Sequence, residues 1–349
     1  MIRKSNIELL RIISMMMVLL LHANYDSLGW VEYDDISDNP SQACFRIAFE
    51  QLCIISVNVF VFISGWFGIK ANMKGALSLF FQVIFYHVLI LFLLFFFGID
   101  FSINDFVIGF YFGASYWFVV SYFILYIFTP VLNVFIKYSS LRTFFVVVVL
   151  FYLSQFIFDW IYSIPGAEFH SGYSALSFIG IYLLAQLLRR FEEHLLKLGA
   201  KIYILFYFLF SLIPVVLFLL TGSNLNTLDY TSIFVLLSSV SFFLLFNSFK
   251  FSSSLVNFLA CSSFSIYLIH QHPLVIPFYR LSVQYIFNTF SGILFLALIF
   301  LFVIFFSLAC IFIDKIRIAV WNYICLKYID KVLAKISIVT TKSFELLGI

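Results

Sequence analysis

The sequence predicts an all-α integral membrane protein of about ten transmembrane helices with both termini cytoplasmic. Three observations lead there. Of the 349 residues, 64% are hydrophobic and only 11% charged, against about 25% charged in an ordinary soluble domain. Apolar stretches long enough to cross a bilayer recur along the whole chain. The polar segments between them alternate between basic and acidic.

A helix needs about 20 apolar residues to cross a hydrocarbon core about 30 Å thick. That criterion marks spans at roughly 7–25, 45–67, 76–97, 117–136 and 141–160, then roughly 173–190, 202–221, 230–249, 258–280 and 289–313. The first span has basic flanks, Arg3 and Lys4, as a signal peptide would. No small-residue cleavage site follows His22 and further spans come after it, so it is expected to remain as the first helix.

Lys and Arg are retained on the cytoplasmic side during insertion, and short loops obey this bias best. Arg3 and Lys4, Lys70 and Lys74, Lys137 and Arg142, the group Arg189, Arg190, Lys197 and Lys201, then Lys250, and Lys315 with Arg317 fall in alternate loops. The intervening loops carry Asp26, Glu32, Asp34, Asp35 and Asp38, then Asp100 and Asp105, Asp159 and Glu168, and Asp229, with Arg280 a mild exception. Residues 1–314 are therefore expected to form the membrane domain and 315–349 a basic cytoplasmic tail. In that tail Lys327, Lys331 and Lys335 recur every four residues opposite Ile and Leu, the pattern of an interfacial amphipathic helix.

The composition also excludes function classes. The 50 Phe and 20 Tyr are bulk for lipid contact and helix packing. Basic residues are scattered instead of forming a stripe, so nucleic acid is not an expected partner. Cys44, Cys53, Cys261, Cys310 and Cys325 show neither CxxC nor Cys/His metal spacing, so neither a disulfide framework nor a metal site is expected. No internal repeat, and no matched Pro or Gly interruption of two halves, points to an inverted-repeat transporter.

An ionisable side chain inside a bilayer usually faces a cavity or a partner, which makes the few within the spans the candidates for function. On the first span Arg11 and His22 are eleven residues apart, about three turns, so they share one face about 16 Å apart along the axis. Ser14 and Val18 complete that stripe. Glu8, three residues before Arg11, is near enough to pair with it. The plainer alternative has Glu8 and Arg11 snorkelling to the interface and His22 neutral near the outer end. The ninth span is unusually polar, with Ser262, Ser263, Ser265, Tyr267, His270, Gln271 and His272 before Pro273. A proline-kinked helix with hydroxyls bonded to their own turn explains its serines better than its histidines. Ser64 and Gly65, with Asn58 nearby, read first as close helix packing. His87 with Gln82 and Tyr86, and Tyr116 with Trp117, are weaker signals, since interfacial aromatics are ordinary membrane anchors.

Together these segments resemble the acyltransferase-3 family of bacterial membrane proteins that transfer acyl groups, commonly acetyl, onto sugars and other molecules. Glu8-Leu9-Leu10-Arg11 followed by His22 is similar to the family's Arg, ten residues, His signature on its first helix. Phe62-Ile63-Ser64-Gly65-Trp66 resembles its Ser-Gly segment, and Tyr116-Trp117-Phe118 with Thr129-Pro130 resembles its mid-chain Trp-Phe…Pro segment. Ser263 to His270 is similar to its Ser…Tyr-Leu-x-His run. Many members carry an arginine cluster after the second helix that is thought to meet the CoA phosphates, where this chain has only Lys70 and Lys74, point charges without arginine's bidentate fork.

The resemblance implies an O-acyltransferase with His22 and Arg11 as catalytic residues and Glu8, Ser64, Trp117, Tyr267 and His270 in support. Lys70 and Lys74 stand as the donor-binding candidates. The expected donor is acyl-CoA, in the first instance acetyl-CoA, as a substrate and not a resident cofactor. The expected partners are a cell-envelope sugar or glycan as acceptor, the lipid bilayer and, in an assembly, further copies of the chain. The expected location is the bacterial inner membrane. Two readings of other classes stand beside it. One is a carrier or flippase for a lipid-linked sugar or organic acid, the other a structural or sensory subunit whose polar groups only hold helices together.

Overall fold

A chain facing lipid must satisfy its backbone N–H and C=O groups internally, and long unbroken apolar runs do so as helices. The computed structural model describes residues 4–108, 116–162, 164, 166–222 and 226–332, and among them the protein is all-helical without a strand. Seven helices are long and apolar enough to cross a membrane: Ser5–Asp26, Pro40–Phe67, Met73–Phe96, Trp117–Tyr138, Leu141–Ile161, Ala200–Thr221 and Gly292–Val332. Three shorter apolar helices, Ala175–Arg189, Ile233–Ser248 and Ser254–His270, stand where the other expected spans fall. Arg3, Lys335 and the tail beyond residue 332 lie outside the described residues.

Helix α1 (Ser5–Leu21) passes into a π-helical turn, His22–Asp26. A short α2 (Tyr33–Asp38) leads to α3 (Pro40–Cys53), which bends into α4 (Ser56–Phe67). There follow α5 (Met73–Phe96), α6 (Ile103–Ile108), α7 (Trp117–Tyr138) and α8 (Leu141–Gln155). The second half comprises α9 (Ala175–Arg189), α10 (Glu192–Leu196), α11 (Ala200–Thr221) and α12 (Ile233–Ser248), then α13 (Ser254–Ala260), α14 (Ser263–His270), α15 (Ile276–Thr289) and α16 (Gly292–Val320).

Helix α1 lies inside the bundle, against α3, α4, α12, α13, α14 and α16. Its start is fixed by polar bonds. The Ser5 hydroxyl lies 3.1 Å from Asn257 Oδ1, the Ser253 N–H donates to it at 2.9 Å, and Asn6 Nδ2 donates to the Phe246 carbonyl at 3.0 Å. Its far end meets the end of α14, so α13 and α14 run parallel to α1, while α12 and α4 run back along it.

Three boundaries differ from the sequence reading. The second span starts earlier, at Pro40, because Asn39 caps the helix by accepting the Gln42 N–H and proline at the first helical position is already set for it. The ninth span does not run through to residue 280. It bends at Cys261 and Ser262 and stops at His270, and Pro277 sits in the first turn of a new helix. The last span continues past 313, so the division after residue 314 falls within α16. Its charges stay inside because Arg317 donates to both oxygens of Asp314 (2.7 and 3.0 Å) and the Tyr86 hydroxyl bonds the same carboxylate, so that each buried charge is paired.

Gly65 serves close packing, as its pattern indicates. A Cβ there would lie 2.8 Å from Ala185 Cβ and 2.9 Å from Tyr182 Cα, so only glycine lets α4 seat on α9. Gly65→Ala should therefore overpack this contact and lower stability by about 1–3 kcal/mol. The check is the thermal unfolding midpoint of the detergent-solubilised protein. An unchanged midpoint would remove the close approach as a requirement.

Candidate active site

The π turn that ends α1 is a single wide turn, a form common at functional positions. Helix α15 fastens it from outside. Tyr279 OH donates to the Leu19 carbonyl at 2.7 Å and Gln284 Nε2 to the Ser27 carbonyl at 2.9 Å. Arg280 grips both carboxylate oxygens of Asp26, Nε at 2.9 Å and Nη2 at 2.6 Å. From within the turn, Ser27 Oγ donates to the His22 carbonyl at 2.6 Å.

On this support the His22 ring lies flat against that of His270, centroids 4.8 Å apart and planes within 4°. The Gln271 amide nitrogen is 3.2 Å from each His22 ring nitrogen. One amide cannot bond two nitrogens of one ring in line, so this is a single contact shared across the edge between them. His270 is 1% exposed, its ring set edge-on to Tyr279 at 4.4 Å, and neither of its nitrogens has a hydrogen-bond partner among the described residues. A neutral imidazole carries one donor and one acceptor, so the pair presents unused bonding positions in a dry setting. His22 is partly exposed, which leaves it the reachable member. The Asp26–Arg280 ion pair stands within charge range of it.

Arg11 lies about three turns back along α1, about 16 Å from His22. The expected pairing with Glu8 is not made. Glu8 is turned inward, 7% exposed, and its Oε2 is unpartnered, as is Arg11 Nε. The Tyr122 hydroxyl of α7, within charge range of Arg11, lies 3.1 Å from Ser64 Oγ. Ser64 thus belongs to the Arg11 end of the bundle and not beside His22.

The donor candidates sit at the same end. Lys70 is exposed, and Lys74 is engaged by Asp330 at 3.2 Å. Arg189 and Arg190 also face this end, donating to the Trp66 carbonyl at 2.8 Å and the Ile136 carbonyl at 2.5 Å. The strand of chain after α4 is held by Tyr182 and Asn133: Tyr182 OH accepts the Ile69 N–H at 3.1 Å and donates to Asn133 Oδ1 at 2.6 Å.

Trp117 and Tyr267 do not touch His22 in the contacts seen. Trp117 packs on Tyr173 (4.5 Å) and Tyr230 (5.9 Å), and Tyr267 on Phe118 (5.4 Å). Both belong to one aromatic cluster joined through Phe118. Tyr122 and Tyr279, each bonded into the site, carry no sequence signal, since their partners are far away in the chain. A cavity of about 530 Å³ opens beside the π turn, lined by Leu20, Ala23, Asn24 and Arg46 among others. His22 is not among the residues that line it.

Compared with known proteins, the chain matches a family model described as an acyltransferase domain over residues 4–312. The match spans both Arg11 and His22 and extends past His270. No curated protein and no solved structure matches.

If the Tyr279 hydroxyl fixes the π turn, Tyr279→Phe should lower stability by about 0.5–1.5 kcal/mol while keeping the ring against His270. Denaturation of the reconstituted protein measures this, and stability equal to that of the wild type would show that the bond does not hold the turn.

Proposed function

The chain belongs to the acyltransferase-3 family, and on that premise we propose that this multi-pass membrane protein moves an acyl group, in the first instance acetyl, from cytoplasmic acyl-CoA to a hydroxyl of a cell-envelope sugar or glycan. The inner membrane of a bacterium is the setting that fits such a donor and acceptor. The observation that carries the reading is the partly exposed His22 stacked on a buried His270 at one end of the bundle, with Arg11, whose Nε has no partner among the described residues, on the same helix face at the other.

Acyl transfer requires an acceptor oxygen made nucleophilic and a carbonyl that tolerates negative charge. His22 takes the proton from the acceptor hydroxyl as its oxygen attacks the thioester carbon. The new C–O bond forms, the C–S bond breaks, and the thiolate leaves with the proton held by the imidazole. Gln271, against the edge of the His22 ring, orients it. Arg11, Tyr122 and Ser64 receive the donor at the opposite end, where Lys70, Arg189 and Arg190 add positive charge. The two ends are separated by about 16 Å, on the order of a pantetheine arm.

Reconstituted protein given radiolabelled acetyl-CoA and an envelope glycan extract should label the glycan. His22→Ala should reduce transfer by about 10²–10⁴-fold, the usual worth of a general base. Arg11→Ala should weaken use of the donor, and Arg11→Lys should restore it only in part because lysine lacks the planar fork. Equal labelling by wild type and both alanine variants would overturn the site, and no labelling with any acyl-CoA would favour the carrier.

A further inference from the structure

Directly after His270 the chain makes a tight, non-helical turn, Gln271 to Val275, before α15 begins. Gln271 and His270 face α1. His272 faces the other way, 1% exposed, toward His87 in the middle of α5, which is also 1% exposed. His87 Nδ1 and His272 Nε2 are 3.0 Å apart, and their rings meet edge to edge, centroids 5.2 Å apart and planes within 25°.

The neighbouring bonds settle which nitrogen carries each proton. The Leu274 N–H donates to His272 Nδ1 at 3.3 Å, so that nitrogen is an acceptor and the ring's hydrogen is on Nε2. His272 Nε2–H therefore donates to His87 Nδ1. That leaves the His87 hydrogen on Nε2, where it donates to the Phe106 carbonyl of α6 at 2.9 Å. Every bond in the series runs in one direction, from the Leu274 amide through two neutral imidazoles to α6. A second proton on either ring would set N–H against N–H. The series pins the turn to α5 and α6, and the backbone closes it locally, with Val275 and Ile276 both donating to the His272 carbonyl at 2.8 and 3.0 Å.

We propose that His87 and His272 are positioning residues whose hydrogen-bond relay holds the turn so that His270 and Gln271 stay registered against His22. The role in transfer rests on the acyltransferase reading, while the placement of the turn does not. The Gln271 N–H still bonds the Tyr267 carbonyl of α14 at 2.9 Å, but past it the helix has ended and Pro273 supplies no N–H, so the turn takes its outward anchor from the His272 side chain. A misplacement of this pair on the order of 1 Å is enough to slow transfer about a hundredfold.

Glutamine at position 87 separates hydrogen bonding from packing, since its amide oxygen accepts from His272 while its NH₂ donates to Phe106. His87→Leu should reduce transfer about ten- to hundredfold with the KM for acyl-CoA unchanged, and His87→Gln should recover most of the rate. Placement is read without activity. With the native cysteines replaced, Cys at positions 22 and 271 should be joined by a short bismaleimide, more slowly with His87→Leu and at the original rate with His87→Gln. If His87→Leu does not fold, His272→Leu tests the relay from the turn itself. Cross-linking unaffected by either leucine variant, or no recovery with glutamine, overturns the proposal. Cross-linking that depends on His87 in a protein showing no transfer would sustain the placement and defeat the acyltransferase reading alone.

Discussion

Helix α1 is held at both ends by one continuous stretch of chain. At its start Ser5 bonds to Ser253 and Asn257, and at its far end His22 meets His270 and Gln271. In hydrocarbon such contacts have no competition from water, so a parallel pairing fixed at two points sets the axial register of the two helices between them. The stacked histidines depend on that register. A shift of one residue along α1 would turn His22 by about 100° and carry it off the His270 ring. The surrounding helices serve the same end: α15 clasps the π turn through Tyr279, Arg280 and Gln284, and α5 meets the back of the turn through His87.

What was legible in the sequence follows from the range of the interaction. Arg11 and His22 lie on one helix, and their shared face is a matter of periodicity. The helical spans follow from apolar length, and Gly65 from its lack of a side chain. The division of the ninth span between serines and histidines was also legible: Ser265 bonds back to the Ser262 carbonyl at 2.7 Å, as Ser14 on α1 bonds to Leu10 at 2.9 Å, so both hydroxyls are engaged by their own turns, Ser265 also reaching the Cys310 carbonyl of α16 at 3.0 Å. The histidines of the same stretch are not.

What was not legible is set by partners distant in sequence. Spacing alone makes Glu8 the natural partner of Arg11, yet the tertiary structure turns Glu8 inward and leaves its Oε2 and Arg11 Nε without a partner among the described residues. Lys315 and Arg317 read as a cytoplasmic boundary until Asp314 and Tyr86 of α5 are placed beside Arg317, and the helix then runs on. The same holds for His87, a weak signal beside ordinary aromatics, whose partner is 185 residues away. Hydropathy counts each charged or polar group as exposed to its worst environment and so ends helices that pairing allows to continue.

The two polar ends also bear on what can pass between them. CoA carries phosphates, and moving a charged group through hydrocarbon is costly, whereas an acetyl group is small and neutral. On the acyl-transfer reading, the protein need not move the donor across the membrane. It needs a path for the thin pantetheine arm, positive charge at one end to retain the phosphates, and a base at the other to meet the acyl carbon. Arg11 and His22 on one face of a buried helix meet that requirement with a single element, and a π turn at its end lets the base be held by α15 without disturbing the α-helical stretch that spaces it from the arginine. The separation of charge from base is then a consequence of the bilayer: the donor's charge must stay near water, and only the reacting atom needs to reach the far side.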